Sequence, residues 1–487
     1  MTASGTTRRP GLILAALALA QLIIALDYSI VFVALPDIGE GVGFSGQQLQ
    51  WVIGAYAVAF GGFLLLGGRL ADLLGRRRMF LTGLSLYAIA SVVGGLAAGP
   101  GPLVAARAVQ GIGGALLAPA TLSLLTTTFA EGRERNRALG IWGATGSSGM
   151  VVGSLLGGVL TQAFGWEAVF YVNVPLALGV GLLGARVLPA DATAERRQGF
   201  DLPGGISVTL GALLLVFGLV QGPEAGWAAP VTLISFVAAA ALIVAFVGIE
   251  SRTADPLVPL KVFSYKSLRL GSMITFMFMA TFGASAYFLT LALQTVRDWS
   301  ALATGLAFIL PCACILVGSV VGGKLSTAFG VRGTLVIGLV IGAVGTALFA
   351  AFLGSGSTYL QMAPGIVVFS LAQGVIWTAM FSAATAGVEE GLQGLASGLA
   401  TSGQQVGAAV GLAVLVAVSN AVTGSDPAPA ELSDGLQAAT YTSAVLILLT
   451  VGLALALSKQ PKAAAADTSQ VVASSLPAEP TVPVQNA

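Results

Sequence analysis

Apolar residues run in long stretches along this chain instead of alternating with polar ones. The breaks fall at charges, at Gly-Pro clusters and at turn signals. Reading from break to break predicts fourteen helical segments, over residues 11–36, 47–68, 79–98, 102–129, 138–162, 168–188, 203–221, 228–249, 270–296, 301–323, 333–353, 358–385, 395–419 and 437–457. A helix needs about 20 apolar residues to cross a bilayer core of roughly 30 Å, and each segment can supply them. The loops between them are left about ten residues each, which leaves no room for a soluble domain. The first segment is too long for a cleaved signal peptide, holds Asp27, and is followed by no small-residue cleavage site. The tail from Ser458 to Ala487 is rich in Ala, Ser, Pro and Thr and is expected to be disordered.

Charge placement fits this division. With the N-terminus in the cytoplasm, twenty of the 22 Lys and Arg fall on the cytoplasmic side. Arg297 lies outside and Arg107 lies within a span. Basic residues stay on the cytoplasmic side of membrane proteins, so both termini are expected there, in a cytoplasmic (inner) membrane. The loop 386–394 has Glu389 and Glu390 and no basic residue, and is the weakest part of the map.

Composition excludes several function classes. Only 9% of the 487 residues are charged and 56% are apolar. Soluble proteins carry about 25% charged residues, so most of this surface must face lipid. A net charge of +1 offers no basic field for nucleic acid. The absence of histidine removes His metal sites and Ser-His catalysis. Cys312 and Cys314, two residues apart, point to different faces of a helix and cannot bridge each other. No Gly-x4-Gly-Lys-Ser/Thr phosphate loop is present. The chain is expected to be a membrane protein, not an enzyme, and to need no cofactor.

Two loops repeat. One runs from Gly68 through Arg69, Leu70, Asp72 and Gly75 to Arg76, Arg77 and Arg78; the other runs from Gly323 through Lys324, Leu325 and Gly330 to Arg332. Gly149, Gly153 and Gly157 are likewise matched by Gly403, Gly407 and Gly411. Such correspondence marks a duplicated transporter bundle. The expected division is a six-helix bundle over 1–188, a linker 189–202, two inserted helices 203–249, a linker 250–269, a six-helix bundle over 270–457 and the tail 458–487.

These segments match a known pattern. Gly68 to Arg78 resembles the signature loop of the major facilitator superfamily. Leu103, Arg107, Gln110, Gly111 and Gly113 resemble its fourth-helix motif, and Gly149, Gly153, Gly157 and Gly158 its fifth-helix antiporter motif. The stretch from Leu26 and Asp27 to Pro36, and that from Trp166 to Asn173, Val174 and Pro175, point within it to the fourteen-span drug:proton antiporters. The resemblance covers about residues 11–457. It implies an all-α membrane protein of the major-facilitator type, with 14 transmembrane helices in two six-helix bundles and two extra helices between them. It further implies export of small amphipathic organic drugs or antibiotics by a monomer, driven by protons. Three positions depart from the pattern: Leu73 replaces a basic residue, Ser154 a proline and Glu167 an arginine. A proline at 154 would reshape the helix.

Asp27 is the sharpest chemical signal. A carboxylate at mid-span costs about 2.5–3.5 kcal/mol even on the gentler insertion scale. Burial favours the neutral form of a carboxyl, and a nearby cation favours the charged one. With no histidine, a proton carrier here has to be a carboxylate, and Asp27 is the one placed deep in a span. The plainer reading is a structural Asp capped by Ser29 or Tyr28. Arg107 either snorkels to the interface or, as the resemblance implies, faces the cavity and acts on Asp27. Gln110 shares its helix face.

Asp72, Arg76 and Arg77 either hold their loop in the cytoplasm or form a gate with Gly68 and Gly75, Arg77 bonding carbonyl ends across the bundle. The glycines at 149, 153 and 157 make one smooth stripe for a close helix contact. Candidate pocket residues are Tyr28, Trp51, Tyr56, Gln110, Trp142, Tyr287, Gln294, Gln373, Trp377, Phe381 and Gln404; rings with a few amides suit amphipathic ligands. Core packing or lipid contact is the common alternative for each. No second carboxylate lies deep in a span, which points away from dications. Uptake or facilitated transport of a small metabolite is the competing function.

Overall fold

In the computed structural model, residues 10–45, 48–129, 133–191, 201–253, 256, 258–354, 356–389, 392–423 and 428–458 are described. The expected tail beyond 458 and most of the 189–202 linker lie outside them, as do the side chains of Asp72 and Leu73. Every regular element among the described residues is helical. The first seven helices are α1 (Pro10–Val42), α2 (Trp51–Leu74), α3 (Arg76–Gly95), α4 (Pro100–Thr128), α5 (Arg133–Phe164), α6 (Ala168–Tyr171) and α7 (Asn173–Val187). Next come α8 (Leu202–Ala225) and α9 (Pro230–Glu250). The remainder are α10 (Lys266–Thr281), α11 (Ser285–Gln294), α12 (Ala301–Ala307), α13 (Ile309–Ala351), α14 (Tyr359–Thr385), α15 (Gln393–Thr423) and α16 (Pro429–Ala456).

Twelve helical stretches among the described residues are long and apolar enough to cross a membrane. One of them, Ala301–Ala351, is 51 residues long and holds two of the expected spans. Gly330 divides it, at φ 71° and ψ 167°, a conformation open to glycine and strained for other residues. The 24-residue α2 stands outside the twelve, its apolar part being described over Gln48–Leu64. The protein is an integral membrane protein. Two expected spans are built differently from plain helices. The span at 270–296 breaks into α10 and α11 at a tight 3₁₀ turn over Phe282–Ala284. The first span continues through Pro36 to Val42.

Helix pairs close up at glycines. A methyl group on Gly67 would strike the Ala115 carbonyl between α2 and α4, and one on Gly318 would strike Leu371 between α13 and α14. Small residues let membrane helices approach in this way. The helices α8 and α9 pack on each other through Gly211 and Gly218, while Thr209 of α8 sits on Gly62 of α2. The outer side of α9 shows Ile234, Val237 and Val244, an apolar surface suited to lipid.

The first seven helices meet the last seven at a few places. Gly61 of α2 faces Gln405 of α15, and Gly158 of α5 faces Ala301 and Leu302 at α12. Gly305 of α12 faces the Ser154 carbonyl of α5. The Gln294 side-chain amide at the end of α11 donates to the Val33 carbonyl of α1 at 2.8 Å. The last three contacts lie toward the end of the molecule opposite Arg77, and they join the two sets of helices there.

Candidate functional site: a carboxylate and an arginine buried among five helices

Asp27 and Arg107 come together in the interior of the first seven helices. Their exposures are 0% and 1%, and Arg107 Nη1 lies 2.7 Å from Asp27 Oδ2. Arg107 does not snorkel. Its Nε donates to the Val52 carbonyl of α2 at 2.7 Å, and its Nη1 donates to Gln110 Oε1 at 2.9 Å. The guanidinium also stands 4.5 Å from the centre of the Tyr56 ring, a cation–π contact. Nε and Nη1 of the cation are therefore held by α1, α2 and α4.

Amides complete the carboxylate's shell. Asn173 Nδ2 at the start of α7 donates to Asp27 Oδ1 at 2.8 Å, and Gln110 Nε2 reaches the same oxygen at 3.4 Å. Gln110 Nε2 also donates to Ser91 Oγ of α3 at 2.9 Å. Ser91 in turn donates to the Tyr87 carbonyl one turn back, and the Tyr87 hydroxyl meets that of Tyr56 at 3.4 Å. Five helices converge on one ion pair: α1, α2, α3, α4 and α7. Such a pair is expensive to bury, and removing one partner leaves an uncompensated charge. The expected capping by neighbours is absent here: the Ser29 hydroxyl donates to the Leu26 carbonyl at 3.1 Å, and the Tyr28 ring packs edge-on against Phe32.

Asn173, Ser91 and Tyr87 are absent from the expected site residues. Asn173 lies in the motif stretch that opens the sixth span, and Tyr87 and Ser91 stand four apart in the third. A polar residue one turn from another in an apolar helix is the signal that could have found them. Asn173 Oδ1 is buried without a partner among the described residues.

The glycine stripe leads from this cluster outward. Gly149, Gly153 and Gly157 lie against α1 at Leu22, at Leu26 with Ser29, and at Ile30, which brackets Asp27. Gly158, on the other side of α5, makes the contact with α12 described above. Ser154, where the family pattern has proline, donates its hydroxyl to the Met150 carbonyl at 3.0 Å. That bond to the preceding turn stays within an unbroken helix.

The repeat loop closes on its own half. Gly75 has φ 107°, and a methyl group there would collide with the Asp191 carboxylate. The backbone N–H groups of Arg77 and Arg78 donate to Asp191 Oδ1 and Oδ2 at 2.9 and 3.0 Å. The Arg77 guanidinium donates to the Ala185 carbonyl near the end of α7. The carbonyl that Arg77 finds thus belongs to the first seven helices. Gly68 packs against Pro119 of α4.

The expected pocket residues do not gather in one place. Tyr56 and Gln110 belong to the ion-pair cluster. Trp51 packs on Phe217 of α8, and Gln294 is engaged with α1. Trp377 lies 5.9 Å from both Phe278 and Phe381, giving an aromatic group on α10 and α14 with Trp377 44% exposed. Tyr287 is buried, Gln373 and Trp142 are half-buried, and Gln404 is buried with an unpartnered Nε2.

The last seven helices hold a counterpart of the cluster. The spacing that carries Gly149 to Gly403 carries Asp27 to Thr281, and the one that carries Gly75 to Gly330 carries Ser91 to Thr346. Thr281 and Thr346 line one cavity of about 10 Å³, with Phe282, Phe369, Thr440 and Ser443.

A buried ion pair inside a bundle of membrane-crossing helices, with glycine-lined contacts between its first and last helices, fits a membrane transporter. The Major Facilitator Superfamily is matched over residues 17–412 and again over 270–476. The chain belongs to that superfamily. It is 38% identical to the cephamycin export protein of Amycolatopsis lactamdurans over 393 residues, 80% of each chain. It is 39% identical to a puromycin resistance protein of Streptomyces alboniger over 374 residues, 76% of this chain and 74% of the other. A solved POT-family transporter shares the fold, with TM-score 0.66 at 15% identity, over 93% of this chain and 99% of that one.

Proposed function

We propose that this protein is a monomeric exporter of amphipathic drugs or antibiotics in the cytoplasmic membrane, driven by proton antiport with alternating access. The observation that carries the reading is the Asp27–Arg107 pair, an ionisable group held deep between spans. Intramembrane ionisable groups mark proton and substrate pathways. The export and resistance proteins to which the chain is similar support the substrate class. The division at Gly330, together with α2, supports fourteen crossings, arranged as six, an inserted pair and six. The basic loops support cytoplasmic termini.

The network accounts for coupling as follows. When Asp27 is charged it accepts from Arg107, Gln110 and Asn173, and five helices are tied together. Protonation removes the charge that Arg107 answers. A carboxylic acid then becomes a donor, and an amide such as Asn173 can turn its oxygen to receive it. The two protonation states therefore hold α1 differently. Because α1 lies on the α5 stripe and α5 meets α12, a change at Asp27 has a short route to the contacts between the halves. The contacts opposite Arg77 support reading this arrangement as the inward-facing one. Substrate and proton would favour opposite states, with Trp377, Phe278 and Phe381 forming one aromatic wall of the drug path.

The test uses inverted membrane vesicles with an inside-acid gradient and a fluorescent lipophilic drug. Wild type accumulates the drug, and an ionophore abolishes the effect. The Asp27→Asn variant loses gradient-driven accumulation by on the order of 100-fold. Accumulation that ignores the gradient, or that survives the substitution, would overturn the reading.

A further inference from the structure

The two repeat loops end alike but are finished with different chemistry. Gly75 and Gly330 both take positive φ, 107° and 71°, and helix follows each at once. The first N–H groups of a helix have no acceptor within it. After Gly75 they are received by Asp191, three residues beyond Leu188, the extended residue that closes α7. Leu457 closes α16 in the same extended conformation. The residue after it, Ser458, has no charge.

The helix start after Gly330 borders a cavity of about 380 Å³. Val331 and Arg332 line it from that start, Lys266 and Ser267 from the start of α10, and Leu457 and Ser458 from the end of α16. Lys266 has no basic counterpart in the first half, because the spacing that relates Asp27 to Thr281 sets it on Leu12. Among the described residues, neither Lys266 nor Arg332 takes part in an ion pair.

We propose that this cavity binds the anionic phosphate headgroup of a membrane lipid. Two cations, two serine hydroxyls and the positive start of α10 converge on it, the donor set that phosphate oxygens require. The cavity sits at the ends of membrane-crossing helices, and Leu270, Val331, Ala383 and Leu457 give it apolar walls beside which acyl chains can run. Basic pockets between spans hold lipid headgroups in this manner. The bound lipid joins the start of α10, the break of α13 after Gly330 and the ends of α14 and α16, as the Asp191 carboxylate joins α3 to the end of α7.

The experiment takes purified, delipidated full-length protein in detergent. Native mass spectrometry and thermal melting follow added dioleoylphosphatidylglycerol, dioleoylphosphatidylcholine or inorganic phosphate. Phosphatidylglycerol binds and raises the melting temperature, and inorganic phosphate at equal concentration does not. The double variant Lys266→Gln with Arg332→Gln weakens phosphatidylglycerol binding by about 30-fold, and Arg252→Gln, at an exposed site, leaves it unchanged. Ser458→Asp, at the cavity lining, supplies an internal carboxylate, so it lowers lipid affinity while raising the melting temperature without lipid. This second variant decides the matter even where the first folds poorly. Equal phosphatidylglycerol binding by wild type and both variants would overturn the proposal. So would inorganic phosphate matching the lipid's effect, which would assign the cavity to the free ion, or phosphatidylcholine doing so.

Discussion

At the centre of α1–α7 lies an ion pair gripped by five helices; at the matching place in α10–α16 lie hydroxyls, phenyl rings and a cavity of about 10 Å³. Stripe glycines border both places, one turn out of step: Gly153 meets Leu26 on α1, and Gly407 meets Phe276 on α10, where the spacing above carries Leu26 to Ala280. The chemistry differs. Thr281 satisfies itself by donating to the Met277 carbonyl of its own helix at 2.7 Å, so it ties no other helix. Asp27 has no such local exit and must be answered from α4 and α7. A residue that can be satisfied within its own turn makes a quiet core. One that cannot makes a core whose arrangement depends on its charge.

Substitutions can break or sharpen that contrast. The largest effect is the loss of proton-driven transport in Asp27→Asn, while Thr281→Val keeps transport within about twofold, because its hydroxyl joins no network. Next, Arg107→Ala lowers stability by about 3–5 kcal/mol, since Asp27 is left charged and unpaired. Melting of the Asp27→Leu, Arg107→Met double variant recovers most of that loss without restoring transport. Equal losses for the single and double variants would deny that the pair acts as a unit. A smaller and symmetrical effect is expected for packing: Gly153→Ala and Gly407→Ala each cost about 1–3 kcal/mol, because both methyl groups strike backbone. The smallest effect is that of Thr281→Val on melting, about 1 kcal/mol or less.

Much of this was legible in the residues. Span positions follow from run length, and Asp27 and Arg107 stand out because a charge within a span has few bland explanations. Other parts were hidden for physical reasons. Helix α13 runs through the expected loop because Gly330 lets the chain turn within one residue. The break over Phe282–Ala284 lies in an apolar run with no charge to announce it. Ser91 and Tyr87 cost little inside a helix, so their types carry no alarm. Asp191 sits in a linker where an acid is unremarkable, and only the folded arrangement brings it to Arg77. The pocket residues stand out by type alone, and ring type does not say which neighbour a ring will face.

Asp191 belongs in sequence to the connection toward α8, but in space to the start of α3. Protein engineers who wish to excise α8 and α9 and splice a twelve-helix derivative therefore face a fixed cutting point. A graft that trims the chain back to Leu188 strips the cap from Arg77 and Arg78, far from the deleted helices. A splice that keeps the chain through residue 191 retains it. The seams left on Gly62, Leu66 and Trp51 of the first half, and on α15 of the second, which now rest on α8, would then be surfaces to repair.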